Sequence, residues 1–202
     1  MDRPKLLREP AARKARLEEL HAPHIVRLTE FVESLRLEAG VNASIPYFDP
    51  WDGGVEAEIL FLLEAPGPKA VNSSFISRNN PDETAKNLFE LCSAAGISRK
   101  KTIIWNVVPW YIGTGKRIRA ATATDQEAGI KPLPRLLRLL PKLRVVVLVG
   151  KKAGKAASLI TNENPALQLF SCPHPSPVFV SRSPDNKNKI LEVFRLAAKA
   201  TQ

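Results

Sequence analysis

The sequence predicts an α/β fold: a three-layer α/β/α sandwich around a mainly parallel, four-stranded central sheet. Three observations carry that expectation. Four short apolar runs recur along the chain, each bounded by turn or helix signals. Stretches with helical spacing lie between them, which is the alternation that builds parallel sheets. Two of the runs are apolar throughout, as strands covered on both faces must be. With 202 residues, 44% hydrophobic and 25% charged, the chain can bury a substantial core, which excludes wholesale disorder. A single domain over residues 1–202 is expected, with 1–40 as an N-terminal helical segment packed on it.

The elements follow in chain order. From Ala12 to Ala39, apolar residues at Leu17, Leu20, Leu28, Phe31, Val32 and Leu35 keep helical spacing, and Gly40 is a stop. Residues 42–54, rich in Pro, Asp, Asn and Gly, read as a surface loop. Ile59–Leu63, Thr102–Val108, Val145–Val149 and Leu167–Cys172 read as the four strands, the first and third being the fully apolar ones. Asp82–Ala95 (ending at Gly96), Leu133–Leu140, Lys151–Ile160 and about Asp185–Ala200 read as helices. Residues 112–131 show no clear period and are expected to run over the surface as a loop with at most a helical turn.

Composition narrows the function. No apolar run approaches the roughly 20 residues of a membrane span, and the first twenty residues lack an apolar core or a small-residue cleavage site. A cytoplasmic protein is the expectation. Two cysteines, Cys92 and Cys172, cannot form a disulfide scaffold or a four-thiolate metal site. Thirty Lys and Arg against twenty Asp and Glu leave a net charge of +10. The surplus is concentrated: residues 99–155 hold 14 basic and 2 acidic groups, whereas 41–98 hold 3 and 8. Such a block is the footprint expected of a surface that meets a polyanion.

In open α/β sheets, ligands bind beyond the carboxyl ends of the strands. Just past the first strand come Glu64-Ala65-Pro66-Gly67-Pro68; at the end of the second stands Asn106; after the third come Gly150-Lys151-Lys152; after the fourth, Pro173-His174-Pro175-Ser176-Pro177. An acid, an amide, a basic turn and a histidine thus converge on one sheet edge. Lys151-Lys152-Ala153-Gly154-Lys155 is not a phosphate loop, because the flanking glycines and the Lys-Ser/Thr pair are missing.

LLEAPGP (62–68), IIWNVVP (103–109) and HPSP (174–177), in this order, resemble the motifs of the uracil-DNA glycosylase superfamily over roughly residues 58–182. The resemblance implies a DNA repair glycosylase that hydrolyses the N-glycosidic bond of uracil in DNA, with water as nucleophile, and leaves an abasic site. It implies catalytic roles for Glu64, orienting that water, and His174, bonding the departing base. Ala65, Phe75, Asn106 and Ser176 would contact substrate: Asn106 reading the base edge, Phe75 stacking on the ring, Ser176 pinning a phosphate. Val178 or Phe179 would wedge into the vacated stack, while Lys116, Arg117, Arg119, Lys151, Lys152 and Arg182 hold the DNA backbone. The Glu-Ala-Pro-Gly motif is closest to the iron–sulphur branch, whose four cysteines this chain lacks, so no cluster, metal or other cofactor is expected. The implied partners are uracil-containing DNA and the product uracil, with the protein a monomer. Ala65 stands where other branches place an Asp or Asn that handles the water, which keeps a non-catalytic nucleic-acid-binding domain as the alternative.

The chemistry asks for these residue types. Breaking the bond leaves cationic character on the sugar and anionic character on the base, so charge of both signs must be stabilised in a water-poor pocket. A neutral imidazole can donate to the base oxygen. An asparagine amide matches the N3–H and O4 of uracil and mismatches cytosine, a difference on the order of 10⁴-fold.

Overall fold

The computed structural model describes residues 1–40, 43–114 and 118–202. The N-terminal segment is two helices, α1 (Pro10–Glu18) and α2 (Val26–Ala39). The spacing predicts one. Pro23 separates them, since a proline lacks the amide N–H and clashes with the preceding turn. The following stretch holds strand β1 (Tyr47–Phe48), then β2 (Ile59–Leu63), helix α3 (Pro68–Ser73) and strand β3 (Phe75–Ile76), which pairs in parallel with β1 as a small separate sheet. Helix α4 (Glu83–Ala94) begins at Asp82, whose carboxylate accepts the Ala85 N–H at 2.9 Å.

Strand β4 (Thr102–Asn106) stops two residues before the expected end. Val107 and Val108 still donate to the carbonyls of Leu63 and Glu64, at 2.8 and 2.9 Å. The region read as loop contains α5 (Ala123–Ile130), started by a reciprocal capping box between Thr122 and Asp125. Then follow α6 (Leu133–Arg138), β5 (Val145–Val149), α7 (Ala157–Glu163, entered through a 3₁₀ turn over Ala153–Ala156), β6 (Gln168–Cys172), α8 (Pro177–Val180) and α9 (Pro184–Lys199).

The main sheet has the order β4-β2-β5-β6 and is parallel throughout. Register and parity separate its faces. Leu62 sits beside Trp105, and the Trp105 ring packs on Phe31 of α2 and stacks on Phe48 of β1. Phe61, one residue away and so on the opposite face, packs on Phe194 of α9 with ring centroids 4.8 Å apart. Helices therefore cover both faces, and every residue of β5 is buried. The strand order places two crossovers on opposite sides of β2 and β5, which opens a crevice at their carboxyl ends.

Candidate active site

At those carboxyl ends lies a cavity of about 330 Å³, with Ala65, Gly67, Asp82, Asn106, Ile118 and His174 among its lining residues. Three of the sequence-predicted site residues, Ala65, Asn106 and His174, are thus brought to one wall system from the ends of three strands.

Asn106 closes β4 and is only 4% exposed. Its side-chain Nδ2 is buried with no hydrogen-bond partner among the described residues. An unsatisfied buried donor costs about 1–3 kcal/mol, so this amide is a standing demand for an acceptor inside the cavity. His174 follows β6. It comes close to β5 because position 150 is glycine: a Cβ there would lie 3.2 Å from the His174 Cβ, and Gly150 has φ +88. Its turn is held from α4, where the buried Asn87 donates to the Pro175 carbonyl at 2.9 Å. Burial lowers the His174 pKa, while the negative charges of Glu64 and Asp82 pull the other way. The imidazole is therefore neutral at neutral pH and can donate without carrying charge.

Glu64 lies beside this wall rather than on it. Its Oε1 accepts the Ala121 N–H at 2.7 Å, which ties the first motif to the entry of α5. Its charge nevertheless reaches His174. Ala65, on the lining, also packs against Val108, Ile112 and Ala121.

Other expectations need correction. Phe75 is fully buried outside the cavity, against Leu7, Leu20 and Tyr47. Ser74, at the left-handed end of α3, turns the chain so that Phe75 enters β3 opposite Tyr47. Ser176 caps α8, its hydroxyl oxygen accepting the Phe179 N–H at 3.3 Å, which leaves the O–H itself free to donate. Phe179 is partly buried against the core, whereas Val178 is 63% exposed. Arg119 is engaged by both carboxylate oxygens of Asp125, at 2.5 and 3.0 Å, and Lys152 donates to the Ala121 carbonyl at 3.0 Å. Lys151 and Arg182 are exposed and without ion pairs among the described residues. Lys116 and Arg117 lie outside the described residues.

The sequence reading passed over Ser77, Asn80 and Asp82, which line the cavity, and Asn87, which holds the histidine turn. Ser77 is braced from behind: its hydroxyl donates to Asp49, a buried carboxylate also bound by Arg16 and Arg99. The polar run Ser77-Arg78-Asn79-Asn80 before a helix cap was the available signal.

An iron–sulphur cluster takes four thiolates. The two cysteines are both buried in the core, so the donor set does not fit one. No helix among the described residues is long and apolar enough to cross a membrane.

Comparison with known proteins agrees with this architecture. A candidate uracil DNA glycosylase of Methanosarcina acetivorans, solved in solution by NMR, superposes with a TM-score of 0.52 at 19% identity, covering 71% of this chain and 94% of that one. Crystalline SMUG2 of Pedobacter heparinus gives 0.55 at 15% identity, covering 86% and 83%. Among curated proteins none matches. The family model of the uracil DNA glycosylase superfamily matches residues 50–196, a span that contains β2, β4, β5 and β6 with all three motifs, and the chain belongs to that superfamily.

Proposed function

We propose that the protein is a monofunctional glycosylase that removes uracil from DNA by hydrolysis, leaving an abasic site. The observation that carries this reading is the orphaned Asn106 amide on the cavity wall. A flipped uracil offers its O4 to that Nδ2–H and its N3–H to the side-chain carbonyl, which relieves the unsatisfied donor. His174, neutral and half-buried, donates to the base oxygen on which charge collects as the bond to C1′ stretches. In this reading exposed Val178 fills the vacated stack, and exposed Lys151 and Arg182 meet flanking phosphates.

The test is a uracil-containing oligonucleotide incubated with the purified protein and then treated with alkali. Strand breaks at uracil are expected, and Asn106→Asp should lose most of that activity while gaining some on cytosine. Unchanged selectivity would remove Asn106 from base reading. The engagement of Glu64 by Ala121 favours one other reading, a binding domain without turnover, for which gel retardation without strand breaks is the expected result.

A further inference from the structure

The reaction needs a carboxylate near the sugar, and Glu64 does not line the cavity. Asp82 does. It stands where the chain leaves the polar run 77–80 and enters α4, so helix geometry fixes its backbone. One oxygen caps that helix through the Ala85 N–H. A carboxylate has about four acceptor sites on two oxygens, so capping leaves capacity for a further donor such as water. Within the lining it shares the cavity with two other charged or titratable groups, Lys69 and His174, and its charge is felt at His174.

We propose, on the strength of the uracil reading, that Asp82 is the carboxylate that activates the attacking water. The water oxygen bonds to C1′ and its proton passes to the Asp82 carboxylate. The electron pair of the C1′–N bond leaves with the base, whose oxygen His174 holds. The proton on Asp82 then returns to solvent or to the released base, which restores the carboxylate. Before attack, the same negative charge offsets the cationic sugar. The environment agrees with this role: burial raises the Asp82 pKa, against the backbone N–H groups of Ala85 and Thr84, with neighbouring Glu83 raising it further and His174 lowering it. A carboxylate that is less comfortable ionised is a better proton acceptor. In the sequence, Asp82 reads only as the first residue of a helical stretch, which hides this use.

The experiment uses the full chain with Asp82→Asn. Asparagine caps helices about as well as aspartate, so folding is preserved, while the proton acceptor is lost. Single-turnover excision of uracil is expected to slow by about 10²–10⁴-fold, with affinity for uracil-containing duplex changed by less than about threefold. In the free protein, NMR titration of the His174 imidazole should move to lower pH in Asp82→Asn, because a nearby negative charge is gone. Asp82→Asn excising at the wild-type rate overturns the proposal and leaves the uracil reading intact. Wild-type protein that leaves uracil in place overturns both. An unmoved His174 titration also overturns the proposal, since it would separate the two groups.

Discussion

His174 stands in the reach of two carboxylates, yet burial wins and its pKa falls below the ordinary 6.5. The sign has two consequences. Its folded value lies below its unfolded value, so the contribution to stability is fully present above about pH 6.5 and is lost as pH falls through the folded pKa. The same depression keeps the ring neutral through the physiological range, so excision should not lose rate until pH drops below about 6.5. A pH series of single-turnover rates tests this; an acid limb centred above 6.5 would mean that the imidazole is stabilised as a cation and the geometry is misread. His174→Ala should slow excision by about 10²–10³-fold, the scale of losing one donor to a developing anion. Binding of the same oligonucleotide at fixed salt should change far less, and equal losses in both would reduce His174 to a structural role.

At the scale of elements, what was legible in the sequence depended on how much burial constrained each segment. Both fully apolar runs are strands with the expected ends, because a strand covered on two faces tolerates no polar interruption. The edge strand β6 is also found, one residue shorter than read. The misses have local causes. The helical spacing across 12–39 runs through Pro23, which breaks it; β1 and β3 have two residues each, too few to show a period. Helix α5 has a weak apolar face and is announced chiefly by Thr122 and Asp125 three residues apart. For the site, the strand ends pointed to Asn106 and His174, which the fold brings to one cavity, but a lone aromatic such as Phe75 carries no record of the side to which the chain turns. The close seat of α5 yields a prediction. A Cβ on Gly129 would lie 2.5 Å from the Val107 carbonyl oxygen and 2.8 Å from the Val108 Cα, both backbone atoms directly after Asn106. Alanine gains about 1 kcal/mol in helix propensity over glycine, but this clash forces α5 off the exit of β4 at a cost of about 1–3 kcal/mol. Gly129→Ala should therefore lower the urea midpoint and uracil excision together. Gly154→Ala, whose added Cβ meets nothing within 4 Å, is the control that should do neither. A raised midpoint in Gly129→Ala would contradict the close packing.

Across the whole molecule, the basic block of residues 99–155 does not form one surface. Arg99, Lys100 and Lys101 precede β4, and Lys142 and Arg144 precede β5, so these five sit at the amino ends of the sheet. Most are already engaged there: Arg99 with Asp49 and Asp52, Lys101 and Arg144 with Glu58, Lys142 with Glu56. Farther along the crossover, Arg135 pairs with Glu38 and Arg138 with Glu163. The cavity opens at the other end, where Lys151 and, just past α8, Arg182 are exposed. Counterion release counts only cations that reach phosphates, so the salt dependence of DNA binding should reflect a handful of contacts and not the whole local surplus. Binding to an unmodified duplex, followed by fluorescence anisotropy over a range of salt, separates the two ends. Lys151→Ala and Arg182→Ala should each weaken affinity equally for uracil-containing and unmodified DNA, and each should reduce the slope of log K against log salt by about 1. Lys142→Ala and Arg144→Ala should leave both affinity and slope unchanged. If the pair at the amino ends matters as much as the pair beside the cavity, DNA lies across the wrong end of the sheet for any base to reach Asn106.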